Sequence, residues 1–215
     1  MYIKIEKVKV LYELCNDKNH QMIIPELLEY CYDPSPEFSS LSLEILWRIS
    51  LKLENCLESI IKIFQKILKE CENNTFINHL FNKICIGMQF IERKYKNIAK
   101  FKLLIPMILS NYEKIVGNPS KIAYLYFFMK SGQSSQESAV ENISIICEDF
   151  ENEDIEVQLV IVSALMKTYL NFSSDLSSLT KKVFQYCTEA SEHPDLRDRA
   201  FIYWRLISNY NVKWA

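Results

Sequence analysis

The residues able to do chemistry are few and widely spaced in this chain of 215 residues. A zinc site or a catalytic dyad needs histidines and carboxylates at short spacing, or converging from several elements. The three histidines, His20, His79 and His193, lack any His-x-x-His or Glu-x-x-His spacing. The three glycines are isolated, so no glycine-rich phosphate-binding loop is present. We therefore predict no catalytic, cofactor-binding or metal-binding site, and no enzymatic activity.

Two charged clusters could bind ions or lipids. Calcium binding by the acidic residues of 148–154 would need ligands at alternating loop positions around a central glycine, which this stretch lacks. We interpret it as a solvated loop between helices. The basic cluster comprises Arg93, Lys94, Lys96, Lys100 and Lys102. Its lysines could attract an anionic lipid headgroup, but lysine-rich faces also serve only solvation, and the sequence leaves both interpretations open.

Aromatic side chains concentrate at residues 124–128 and 201–204. Such clusters can stack on the bases of single-stranded nucleic acid when a basic groove accompanies them. Here no arginine is interleaved, and the formal net charge of −2 gives no attraction for a polyanion. We interpret both clusters as core packing between helices, and we predict no nucleic-acid partner.

The elements that hold these residues are predicted to be helical. With Gly 3 and Pro 6, the chain has too few turn residues for a barrel or a sandwich. The longest apolar run, residues 122–129, is too short to cross a bilayer. Seven cysteines without a Cys-x-x-Cys pair are typical of reduced, buried thiols in a cytosolic protein.

Helix-start signals recur along the chain at intervals of about 35 to 43 residues. They are Ser35-Pro36, Asn74-Thr75, Asn118-Pro119, Glu153-Asp154 and His193-Pro194. This period is typical of HEAT and armadillo repeats, each an antiparallel helix pair. We predict an all-α solenoid of about five pairs plus a final helix. We expect residues 1–215 to form one segment without an internal domain boundary, cut from a longer array.

The last predicted helix carries the most distinctive pattern. Pro194 suits the first helical position, Asp195 lies in the positive first turn, and Arg199 is within ion-pair reach of Asp195. An apolar stripe at helical spacing comprises Leu196, Ala200, Tyr203, Trp204 and Ile207. We expect Trp204 to pack inward and Arg197 to lie on a more exposed face.

Residues 194–208 resemble a motif near the end of the trunk of β-adaptins, the large β subunits of clathrin-adaptor complexes. The motif residues are Pro194, Asp195, Leu196, Arg197, Asp198, Arg199, Tyr203, Trp204, Arg205 and Leu206. Residues 154–165 are similar to an acidic-start, Val-Gln-Leu helix of that family, and residues 2–14 to its Lys-Leu-Glu-Lys-Leu segment. Ala200 stands where the family often has glycine, and His193 where it often has asparagine.

The resemblance implies a non-catalytic scaffold in a heterotetrameric adaptor complex of vesicle-mediated transport. Such complexes select transmembrane cargo and couple it to coat assembly on cytosolic membrane faces. The implied partners are the medium chain, the second large subunit and the small chain. Clathrin would bind only through regions outside this chain, and the complex would be cytoplasmic and peripheral on Golgi, endosomal or plasma-membrane coated vesicles.

Other scaffold and repeat classes remain as alternatives. A coatomer-type large subunit would share the resemblance. A generic HEAT scaffold, such as a transport receptor or phosphatase scaffold, would share the repeat period. An RNA-reading helical-repeat protein would need a fixed base-reading position in each repeat and a basic concave face, and the sequence offers neither.

Overall fold

The computed structural model describes residues 2–70, 78, 82, 108, 109, 112–132 and 135–213, and every regular element within them is helical. The α-helices are α1 (Tyr2–Leu14), α2 (His20–Cys31), α3 (Pro36–Lys52), α4 (Leu57–Glu70), α5 (Asn118–Ser131), α6 (Gln136–Glu148), α7 (Ile155–Asn171), α8 (Ser173–Gln185) and α9 (Pro194–Lys213). The all-α prediction is confirmed. The number of helix pairs stays a prediction, because much of 71–111 lies outside the described residues.

Several helices begin at the starts that the sequence predicted. α3 begins at Pro36 after Ser35, α7 begins directly after Asp154, and α9 begins at Pro194. Proline has a φ suited to the first turn, and its missing N–H has no intrahelical partner to lose there. The start at Asn74-Thr75 lies outside the described residues.

The chain divides into two compact units, Met1–Ala123 and Tyr124–Ala215. In the first unit, α3 packs against α1, α2 and α4. Its core includes Phe38 and Leu46, and the rings of Trp47 and Phe64 stack with centroids 6.1 Å apart. Burial of these large side chains from several helices supplies the main driving force for folding of the unit.

Ion pairs between α1 and α2 show the mutual direction of the two helices. Lys4 Nζ lies 2.7 Å from Asp33 Oδ2, and Lys7 Nζ lies 2.8 Å from Glu26 Oε1. Tyr30 donates its hydroxyl proton to the same Glu26 carboxylate. Later residues of α1 thus meet earlier residues around α2, as in an antiparallel pair. Exposed ion pairs of this kind contribute little stability. They are compatible with the antiparallel orientation and add little to its free energy.

In the second unit, α7 is the central helix and packs against α6, α8 and α9. Val157, Ile161 and Leu165 are fully buried, and buried residues occur on all sides of the helix. A helix that is apolar nearly all round needs neighbours all round. Its surroundings in the second unit are those of an inner helix.

Hydrogen bonds inside each unit join residues one repeat apart. Each bond links a helix to the helix two elements earlier or later in the chain. The two bonded residues are 40 positions apart for Lys52 and Tyr12 O, 38 for Lys167 and Met129 O, 39 for Gln136 and Asp175, and 40 for both Arg199 with Leu159 O and Tyr203 with Ser163. A nearly constant separation means that equivalent helices of successive repeats lie side by side, as nearest-neighbour packing in a helical-repeat array requires.

Five cysteines lie within the described residues, and all five are buried free thiols. Burial raises the pKa of Cys56 to about 11 and the pKa values of Cys147 and Cys187 to about 12. Because the thiolate is the reactive form, such thiols are inert. Cys71 and Cys85 lie outside the described residues. Within the described part of the chain, no helix is both long and apolar enough to cross a membrane.

Candidate interaction surface

The start of α9 is anchored by its own backbone and by the preceding turn. Pro194 opens the helix and Asp195 lies in its first turn, where a negative charge complements the helix dipole. Arg197 donates its backbone N–H to His193 O at 3.2 Å and its guanidinium to Ser191 O at 2.9 Å. Arg197 is exposed, as the sequence predicted.

The Arg199 side chain contacts α7 rather than Asp195, which the helical spacing places within its reach. Its Nη1 donates to Leu159 O and to Ser163 Oγ, both at 3.1 Å. Tyr203 Oη lies 3.2 Å from the same Ser163 oxygen. The contacts on α7 are partly buried, whereas an exposed i, i+4 pair contributes only about 0.3–0.5 kcal/mol. A charged donor gains more from acceptors that are partly removed from water.

Trp204 does not pack fully inward, contrary to the sequence prediction. Leu196 and Ala200 are completely buried, but Trp204 is 41% exposed. Each helical residue turns about 100°, so Trp204 lies at the margin of the face that Ala200 and Tyr203 define. Its indole packs beside Phe184 of α8, with ring centroids 6.2 Å apart and planes tilted by 41°.

Three more large apolar side chains are exposed on α9. Phe201 is 47%, Ile202 58% and Leu206 51% exposed. Ile202 and Leu206 are four residues apart and so share one flank of the helix. The prediction that the aromatic residues of 201–204 form core is therefore wrong in part. In the cluster at 124–128, Tyr124, Phe127 and Phe128 are buried as predicted, but Tyr126 is 50% exposed.

Clustered exposed apolar side chains mark surfaces that bind other proteins. Ile202 was not among the residues that the sequence pattern singled out, because it lies outside the apolar stripe. The signal was available, since a second apolar pair at i, i+4 spacing extends the stripe beyond one buried face. We call Ile202 and Leu206 the α9 outer pair.

The other motif residues have structural or solvent-facing positions. Tyr203 is half-buried, and its ring lies 6.5 Å from that of Phe184. Four charged or helix-starting residues besides Arg197 are exposed: Pro194, Asp195, Asp198 and Arg205. None of these residues converges with another to form a reactive constellation. Of the motif residues, Arg199 bonds to α7 and Tyr203 lies against both α7 and α8.

The candidate ligand-binding residues do not form a site where the structure describes them. His20 Nδ1 lies 3.0 Å from Asp17 O, and the His193 side chain is exposed. No group of three or more metal-ligating side chains occurs among the described residues. In the acidic stretch Glu148, Asp149 and Glu151 are exposed. His79 and the basic cluster at 93–102 lie outside the described residues.

Stacked helices with a repeat of about 40 residues define a helical-repeat protein, and one flank of its helix α9 exposes apolar side chains. A family model described as the adaptin N terminal region matches residues 1–211. The chain belongs to this adaptin family, and the predicted membership is confirmed.

Individual relatives agree with the family match. The AP-1 complex subunit beta of Dictyostelium discoideum is 27% identical over 208 residues, which cover 97% of this chain and 21% of that protein. Human AP-1 complex subunit beta-1 is 26% identical over 208 residues, with the same coverage. The AP-2 complex subunit beta of Schizosaccharomyces pombe is 26% identical over 212 residues, covering 97% of this chain and 30% of that protein. The chain thus spans between about a fifth and three tenths of the length of these relatives.

Proposed function

We propose that this chain is a non-catalytic scaffold of a heterotetrameric adaptor complex in vesicle-mediated intracellular protein transport. The observation that carries the proposal is similarity along 97% of the chain to subunits of AP-1 and AP-2 complexes. The helical-repeat packing and the exposed apolar residues of α9 support a role in holding other proteins.

The partners are the medium chain, the second large subunit and the small chain of the complex. In this proposal the complex selects transmembrane cargo and recruits the coat on the cytosolic faces of Golgi, endosomal or plasma membranes. Membrane association is peripheral and depends on the assembled complex. Clathrin binds through regions outside residues 1–215, and nucleic acid is not a partner.

The α9 outer pair is the proposed contact on this chain for another subunit. Burying Ile202 and Leu206 in an interface removes exposed apolar surface from water, which favours association. Introducing a charge at either position would place that charge in an apolar contact, where it costs binding energy because it has no partner.

Co-expression with tagged medium, small and second large subunits tests the proposal. We expect capture of this chain with the tagged subunits, and loss of capture when Ile202→Glu and Leu206→Glu are combined. Arg205→Glu is the matched control, because Arg205 is also exposed on α9 and already charged. Its capture should equal that of the unchanged chain.

The outcomes separate the parts of the proposal. Failure of the unchanged, folded chain to capture any adaptin subunit would contradict the adaptor function. Capture that survives the Ile202→Glu and Leu206→Glu change would leave the adaptor function standing and refute the assigned contact.

A further inference from the structure

A small pocket opens between α7, α8 and α9 in the second unit, on the Trp204 side of α9. Its volume is about 170 Å³, and its lining consists of Tyr169, Ser177, Thr180, Lys181, Phe184, Trp204 and Ile207. A cavity of about 150 Å³ holds a benzene ring, whereas typical small-molecule sites measure about 300–1,000 Å³. The pocket therefore has room for one aromatic side chain and too little for most cofactors.

The walls of the pocket favour an aromatic occupant. Tyr169 and Phe184 form buried parts of the lining, and Trp204 stands partly exposed beside them. Phe184 and Trp204 are tilted by 41°. Aromatic rings prefer tilted and offset neighbours with centroids 4.5–7 Å apart. A ring inserted next to Trp204 would gain such neighbours and cover indole surface that now contacts water.

Two polar groups of the lining lack partners within the described part of the chain. The Lys181 ammonium is exposed at the pocket and makes no hydrogen bond or ion pair there. Thr180 is buried, and its hydroxyl has no hydrogen-bond partner. An unpartnered cation beside an apolar cavity complements a carboxylate, whereas the Thr180 oxygen is buried out of reach of a ligand.

We propose that this pocket binds an acidic peptide segment of another protein by one phenylalanine side chain. The phenyl ring occupies the pocket against the exposed side of the Phe184–Trp204 ring pair, and a carboxylate one or two residues away pairs with Lys181. The proposal is independent of the assembly of the adaptor subunits. It concerns the face of α9 that carries Trp204, whereas the α9 outer pair lies on another flank.

Fluorescence anisotropy with labelled tetrapeptides tests the proposal on the 215-residue chain. The probe is Glu-Glu-Phe-Gly with blocked ends, and the comparison peptides replace phenylalanine with alanine or leucine, or both glutamates with lysine. We expect the alanine peptide to bind about tenfold more weakly, since an anchoring side chain in a pocket supplies much of the affinity. The leucine and lysine peptides should each bind several-fold more weakly than the probe.

Two pairs of matched variants locate the site. Lys181→Glu should weaken the probe about fivefold, whereas Lys182→Glu, next to it but outside the pocket, should leave binding unchanged. Ser177→Phe places a ring in the pocket and should abolish binding. Ser178→Phe is its control, because Ser178 is exposed but does not line the pocket.

Several results would overturn the proposal. They are absence of probe binding to the folded chain, equal binding of the alanine or leucine peptide, and equal effects of Lys181→Glu and Lys182→Glu. Concentration-dependent self-association that Ser177→Phe abolishes would instead identify a second copy of the chain as the occupant. None of these results depends on capture of adaptin subunits.

Discussion

Truncating the two rings that join α8 to α9 tests the partial exposure of Trp204. Phe184 is 1% exposed, so Phe184→Ala should lower the free energy of unfolding by about 3–5 kcal/mol, the range for a fully buried aromatic residue. Trp204 keeps 41% of its surface exposed, which leaves about three fifths of the burial. Scaling the same range gives about 2–3 kcal/mol for Trp204→Ala.

The double variant measures the contact between the rings. Their centroids are 6.2 Å apart, within the range in which aromatic pairs contribute about 0.5–1.5 kcal/mol beyond area burial. Once one ring is gone, removing the other no longer breaks this contact. The double variant should therefore lose about 0.5–1.5 kcal/mol less than the sum of the single variants.

Urea unfolding followed by far-ultraviolet circular dichroism is the appropriate assay, because it does not depend on tryptophan fluorescence. Tyr126→Ala is the control for removing an aromatic ring from a helix, since Tyr126 is half exposed, and it should cost under about 1 kcal/mol. If Trp204→Ala were as damaging as Phe184→Ala, the inward orientation expected from the sequence would be right and the described exposure wrong. Strict additivity would refute the ring contact.

Three further predictions concern single groups. Thiol titration of the denatured protein without reductant should find all seven cysteines free; fewer than five would contradict reduced, buried thiols. Thr180→Val should leave stability unchanged or raise it by about 1 kcal/mol in urea unfolding, because it removes a buried hydroxyl without a partner; destabilisation by more than about 1 kcal/mol would mean that the hydroxyl is satisfied. Hydrogen bonds from Lys7, and secondly from Tyr30, lower the pKa of Glu26. The stability that the ionised Glu26 contributes is therefore present above its unfolded pKa of about 4.3 and is lost as pH falls through the lower folded pKa. Glu26→Gln should therefore flatten the fall in stability between about pH 5 and 3, and an unchanged pH profile would contradict the ion pair.

Local chemistry let the sequence predict the helices and their starts. Proline at the first helical position and polar residues before it mark the beginnings of α3 and α9, and these signals act over a few residues. The scarcity of glycine and proline, with three and six in the whole chain, argued against turn-rich folds. The spacing of the starts predicted the repeat, and the resemblance of residues 194–208 led to the family that the comparison confirmed.

Tertiary packing decided which side of each helix meets its neighbour. Arg199 had an acidic residue four positions away, yet it bonds to α7, 40 residues earlier in the chain. Trp204 continued an apolar stripe, yet α8 covers only part of it. The pocket beside Trp204 combines residues from three helices. A helical pattern gives the angle between side chains around one axis, whereas partner choice and exposure depend on how neighbouring helices approach that axis, which the pattern of a single helix does not contain.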